Sequence, residues 1–408
     1  MARKITSGLL PAEQTISKRE ILFLLAVMLK MLAQAISISV IPFMIGEGIS
    51  TYVFKFMTYS SYLLVLLSFF IDVKITKIEI CKIVLLVLIT IVGSYFAGTD
   101  IMLTLVFVYG LKNIPPEKIV KKASIIYIWI FCAIVISSVI GLLENWDFFS
   151  DTDRPRWGLG YTYPTHTSSV FFMAVLLLCY IKKEKINIIW VFCIELLNIW
   201  LFSYTDSRAG MILSAMTPVV FLILKHRKKT KTKMDWFLQW AFPVCALIII
   251  VLSLKYDGSG LLYKINTLIS DRLNLGGKAL RTYGVHIFGQ KIAWVGFGGM
   301  GHTQTVLSGE YNYVDSSYIR ILLDNGALIW VILMVGWTNT SIKAYKTHDK
   351  YLLWALSILA VYCIIEQWLM NLGANLFLLY LSYNIYDPMK NRSVDKRIED
   401  ILVQNKLL

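Results

Sequence analysis

Residues 182–229 read KKEKINIIWVFCIELLNIWLFSYTDSRAGMILSAMTPVVFLILKHRKK. Two apolar runs, 186–203 and 209–224, each approach the ~20 residues that cross a bilayer as a helix. Between them lies a short polar turn, 205–210, and lysines crowd the far end of both runs. Basic residues favour the cytoplasmic side of a membrane. The stretch therefore reads as a helical hairpin with both ends inside and its turn, carrying Arg208, outside.

The same pattern repeats along the chain. Of 408 residues, 57% are hydrophobic and 16% charged, with mean hydropathy +0.64; a soluble domain would carry about 25% charged residues. Apolar runs place helices near 21–42, 53–71, 83–97, 100–111, 124–143, 164–181, 186–203, 209–224, 236–254, 316–342, 351–366 and 370–386. The expectation is an all-α polytopic membrane protein of about twelve transmembrane helices, forming a single integral membrane domain over 1–408. In alternate loops lie 28 of the 40 lysines and arginines, which puts both termini in the cytoplasm. That bias accounts for most of the net charge of +14. It also makes Lys225-His226-Arg227-Lys228-Lys229 a topology anchor against anionic lipid rather than a nucleic-acid patch. The first apolar run is long enough to remain as a signal anchor, with no cleavable signal peptide ahead of it. The six cysteines lie in or beside spans and show no metal-ligand or disulfide spacing.

Against this rule, six of the eleven arginines fall on the outer side: Arg154, Arg156, Arg208, Arg272, Arg281 and Arg320. The guanidinium fork matches phosphate oxygens bidentately, whereas lysine acts mainly as a hydrated point charge. Outer arginines without matching lysines point to a phosphate handled outside the cell. Arg208 either binds such a group or snorkels to lipid headgroups.

Two outer loops stand out by length: 255–315 and the smaller 144–163. In the first, Leu261, Leu262, Ile265, Leu268, Ile269 and Leu273 recur at helical spacing against polar neighbours, predicting an amphipathic helix ended by Gly276-Gly277. A shorter helix over 278–283 follows. Arg272 and Arg281 sit on these elements, as solvated ion pairs or as further phosphate donors. Asp315 stands where the loop meets the next span, either as a helix cap or as a carboxylate that takes a proton from a hydroxyl; His302 and Glu310 compete for the second role. In 156–166, Arg156, Trp157 and His166 with two tyrosines and two glycines suit either a sugar platform or an interfacial aromatic belt. Lys30 and Glu195 fall mid-span and read as a candidate intramembrane pair.

In this order and on this topology, three motifs resemble those of the Wzy-type bacterial polysaccharide polymerases, relatives of the O-antigen ligases. Thr205-Asp206-Ser207-Arg208-Ala209-Gly210 looks like the family's T-x-S-R-G turn. Asp315-Ser316-Ser317-Tyr318, with Asn325-Gly326 beyond, looks like its D-N-x-Y…G element, although Ser316 replaces the usual asparagine. Arg156 to Thr165 resembles its R-x-x-x-G-F-x-x-P-N stretch, with Thr165 in place of the last asparagine. The resemblance covers nearly the whole chain and implies a fold related to the C-type glycosyltransferases. It also implies an outward-facing active site in the bacterial cytoplasmic membrane, and polymerisation of undecaprenyl-pyrophosphate-linked oligosaccharide repeat units for O-antigen, capsule or exopolysaccharide. No cofactor is implied. Arg208 and Arg272 would hold the pyrophosphate and Asp315 or His302 would serve as base, with Arg156, Arg281, Tyr318, Trp157, His166 and Glu310 around the substrate. A flippase and a chain-length regulator would be partners in the same pathway. The alternatives are an O-antigen-ligase-like transferase and a flippase of lipid-linked oligosaccharide.

Overall fold

The computed structural model describes residues 17–69, 71, 76–97, 101–148, 155–227, 231–296 and 311–386. It is mostly helical, and seven of its helices are long and apolar enough to cross a membrane. The chain opens with α1 (Lys18–Ser37), short α2 (Ile41–Ile45), α3 (Glu47–Phe69), α4 (Lys77–Ala97), α5 (Ile101–Gly110) and α6 (Pro116–Val139). Strands β1 (Asp147–Phe148) and β2 (Arg156–Trp157) then pair antiparallel between α6 and the next helix. Next come α7 (Pro164–Lys182), α8 (Ile188–Thr205), α9 (Arg208–His226), α10 (Lys233–Leu238) and α11 (Ala241–Lys255). The large loop carries α12 (Gly260–Leu268) and α13 (Arg272–Tyr283), before α14 (Ser317–Lys346) and α15 (Lys350–Tyr362).

Helix α7 is the centre. It is buried on nearly all sides, and it packs on α6, α8, α9 and α15. Phe172 stacks on Tyr362 of α15 with centroids 4.3 Å apart, and Phe242 of α11 stacks on Trp337 of α14 at 4.7 Å. Peripheral helices do the reverse. On α3, Tyr52, Phe56, Tyr59 and Leu63 are exposed at helical spacing, an apolar stripe that suits lipid rather than water. Short α5 is held as an element of the bundle by Arg19, which is buried and donates from Nε to Ser68 O and from Nη2 to Gly110 O, each at 3.0 Å.

Three expectations are corrected. The loop helix breaks at Ser270 and Asp271, both in the left-handed region (φ 55° and 67°), not at Gly276-Gly277. The buried Asn266 side chain accepts from the backbone N–H groups of Leu273 and Asn274, so it caps a new helix. The glycine pair stays helical and serves close packing: a Cβ on Gly277 would lie 2.2 Å from Ser253 O of α11. The run 370–386 is not an α-helical span; its helical part is a 3-10 segment, Leu376–Asn384, buried inside the bundle. The turns before it are held by Asn371 and Asn375, whose side chains accept from the backbone N–H of Gly373 and Phe377. Lys30 donates to Tyr62 Oη at 3.3 Å, and Glu195 Oε1 is buried with no hydrogen-bond partner among the described residues, so these two do not form the expected ion pair. Both chain termini lie outside the described residues.

Helix α14 is interrupted at Gly326 (φ 83°, ψ 167°). An irregular segment, 286–290, fills the gap: His286 O and Ile287 O accept from the N–H groups of Ala327 and Leu328, and Gln290 N–H donates to Asp324 O. Backbone groups freed by a break at membrane depth need such partners.

Candidate functional site: an arginine-lined cavity

A cavity of about 800 Å³ opens at the end of the bundle opposite the lysine-rich loops. It is lined by Arg156, Arg208, Arg272, Asp315 and His166, five of the residues singled out from sequence. Glu366, Gln367, Trp368, Trp294, Tyr163, Tyr311 and Tyr313 complete much of its wall.

Three helices begin at this cavity, since Thr165 and His166 open α7, Arg208 opens α9, and Arg272 opens α13. Each helix N-terminus carries a partial positive charge, which favours an anion, although at α13 the N–H groups of Leu273 and Asn274 are already taken by Asn266. Close packing sets the α9 start beside α7, because a Cβ on Gly210 would fall 1.8 Å from Ser168 Oγ. The exposed side chain of Arg208 therefore projects from a fixed turn. Arg156 is anchored from β2 by its Nε donating at 2.7 Å to the carbonyl oxygen of Thr205, the last residue of α8.

Arg272 is almost buried and organises the floor. Its Nε donates to Ile365 O at 2.7 Å and its Nη1 to Ile269 O at 2.9 Å. Its Nη2 lies 3.3 Å from Asp315 Oδ2 and 3.6 Å from Glu366 Oε1. Burial pushes both carboxyls above the usual carboxylate range, with the Arg272 charge opposing it; the Asp315 charge pushes Glu366 further up. Two desolvated carboxyls on one guanidinium favour a shared proton. Asp315 does not cap α14, whose N-cap is Ser316. Instead the first turn of α14 is stitched to 363–366 by Ser317 N–H donating to Cys363 O and Glu366 O.

His166 Nδ1 lies 3.2 Å from Thr162 Oγ1, and its ring packs edge-on against Trp368 and Tyr163. Arg320 stands behind the wall, over the rings of Trp294 (5.1 Å) and Tyr313 (4.5 Å), and donates to Gln367 Oε1 at 2.8 Å. It positions the aromatic wall.

Other expected site residues lie elsewhere. Trp157 packs edge-on against Tyr204. Tyr318 is fully buried, its hydroxyl donating to Ala360 O. Arg281 is exposed and donates to Leu254 O at 3.3 Å on the flank of α11. None of the three lines the cavity. His302, Glu310 and Arg154 lie outside the described residues. Glu366, absent from the expected set, was signalled only as an acidic residue interrupting an apolar run. No cluster of three His, Cys, Asp or Glu side chains able to hold a metal occurs among the described residues.

The chain is similar to the ComP-specific O-oligosaccharyltransferase of Acinetobacter baylyi, 23% identical over 273 residues. The match covers 61% of this chain and 48% of that protein, so it spans about half the relative's length. No family model matches the chain, and no solved structure matches it.

Proposed function

We propose that this protein is a membrane glycosyltransferase that moves a glycan off a lipid pyrophosphate at the arginine-lined cavity. The observation that carries the reading is the convergence of Arg156, Arg208, Arg272 and three helix N-termini on one space that also holds two carboxyls. The similarity to an O-oligosaccharyltransferase supports glycan transfer as the reaction class.

The chemistry needs little else. An acceptor hydroxyl attacks the anomeric carbon of the donor glycan, and the bond from that carbon to the pyrophosphate oxygen breaks. The lipid pyrophosphate departs with the bonding electrons, and the hydroxyl proton passes to a carboxylate. Arg208, Arg156 and the helix N-termini stabilise the charge gathering on the leaving group. Asp315 and Glu366, bridged by Arg272, hold and accept the proton. The aromatic wall of Trp294, Tyr311 and Tyr313 offers faces on which sugar rings stack.

Within this class the finer proposal is polymerisation: the growing glycan passes from its undecaprenyl pyrophosphate carrier to the next lipid-linked repeat unit on the outer face of the bacterial cytoplasmic membrane. Transfer of finished glycan to a different acceptor is the second reading, favoured by the relative's description. A flippase is disfavoured, because the arginines gather at one end of the bundle rather than along a central path. Purified protein in lipid, supplied with one lipid-linked repeat unit, separates the readings. A ladder of lengths is expected of a polymerase; glycan leaving its carrier only when another acceptor is added supports the second reading. Formation of neither product would overturn the proposal.

A further inference from the structure

A second, larger hollow of about 1320 Å³ lies at the lysine-rich end, against the far end of α7 from the arginine cavity. It is bounded by the start of α6, the end of α7 with the turn after it, the start of α8 and the α14–α15 junction. Its walls have two characters. Ile125, Ile128, Trp129, Leu178 and Ile181 form an apolar side, of which Trp129 is 70% exposed and Ile125 48%. Five lysines line the other side.

Two of these lysines are committed to the protein. Lys183 pairs with Glu117 at 2.6 Å and Asp349 at 3.7 Å, and Lys350 donates to Leu224 O and Arg227 O. Lys121, Lys182 and Lys185 form no ion pair among the described residues, and Lys182 Nζ sits 4.5 Å above the Trp190 ring. Three carboxylates, Glu117, Asp349 and Glu184, stand against the five lysines, and the first two are engaged by Lys183, so a surplus of positive charge faces the hollow. Exposed apolar side chains beside unpaired ammonium groups match a molecule with hydrocarbon tails and an anionic head.

We propose that this groove binds an anionic phospholipid, its phosphate at Lys121, Lys182 and Lys185 and its acyl chains along Ile125, Ile128 and Trp129. The bound lipid fastens the α7–α8 turn to α6, at the end of the bundle away from the chemistry.

Native mass spectrometry of the detergent-purified protein tests this, with phosphatidylglycerol and phosphatidylcholine of matched chains as probes. Phosphatidylglycerol is expected to stay bound and phosphatidylcholine to dissociate. The triple variant Lys121→Gln, Lys182→Gln, Lys185→Gln is expected to bind phosphatidylglycerol roughly a hundredfold more weakly, at about a factor of five per lysine. Lys118→Gln, a lysine that faces Glu20 outside the groove, should change nothing. Equal retention of both lipids by the wild type, which requires no variant to fold, would overturn the proposal. So would undiminished binding by the triple variant, or glycerol 3-phosphate binding as well as the whole lipid.

Discussion

Arg272 makes four polar contacts from one nearly buried side chain: two backbone carbonyls and two carboxyls. Its loss strips the cation from two desolvated acids and releases the carbonyls of Ile365 and Ile269. Arg272→Ala should therefore abolish transfer and also lower the thermal unfolding temperature in detergent, because breaking a buried pair typically costs ~3–5 kcal/mol. Arg208 is exposed at the cavity mouth, so its loss should spare the fold. Arg208→Ala is expected to reduce turnover roughly 100-fold or more, the usual effect of removing one charge-stabilising donor, while the protein reaches the membrane in normal amount. Arg208→Lys should recover little, since it keeps the charge and loses the fork. Glu366 gives a pH prediction. Burial raises its pKa, so the folded state keeps a proton that the unfolded chain has released. Its contribution to stability is full below the ordinary glutamate pKa of about 4.3 and is lost as pH rises through the raised value. Unfolding temperatures measured across that window should fall with pH in the wild type, and Glu366→Gln should flatten the slope.

At the level of elements, two glycines carry testable constraints. Gly277→Ala would force a Cβ to 2.2 Å from Ser253 O and prise α13, with Arg272 at its start, from α11. A loss of ~1–3 kcal/mol is expected from overpacking, read as a lower unfolding temperature together with reduced transfer. Gly326→Ala meets the Gly289 backbone N at 2.2 Å and a backbone angle only glycine adopts readily. It should separate the 286–290 segment from the α14 break and expose that segment to protease. The same comparisons show what was legible in the chain. The α8–α9 hairpin was plain, because two apolar runs of span length carried lysines at one end and Arg208 at the other. The α12–α13 boundary was not, because Asn266 caps a helix seven residues away through a side chain, which periodicity does not register. The last segment misled because apolar burial on all sides looks alike for a 3-10 turn and an α-helix. In the site, Arg156, Arg208, Arg272, Asp315 and His166 stood out as polar groups in apolar or aromatic surroundings. Glu366 shows in the sequence only as an acidic residue interrupting an apolar run, and the fold alone brings it to Arg272; the fold likewise sends Trp157 and Tyr318 to packing positions and Arg281 to the exposed flank of α11.

Across the whole molecule, α7 separates two polar ends by about 25 Å, from Thr165 at the arginine cavity to Lys182 at the lysine groove. By the positive-inside rule the lysine end is expected to face the cytoplasm. A cysteine introduced at Ser207 should accordingly react with an impermeant thiol reagent in intact cells, and one at Lys185 only after permeabilisation. Such sidedness fits chemistry that takes its energy from the donor: a lipid pyrophosphate is already an activated leaving group, so no nucleotide need reach the outer face. The most direct test of that account follows the leaving group. Purified protein in lipid, given a lipid-linked oligosaccharide, should release lipid pyrophosphate in step with each new glycosidic bond, and Arg208→Ala should release almost none. Glycan transfer without release of lipid pyrophosphate, or release at the wild-type rate by Arg208→Ala, would contradict it.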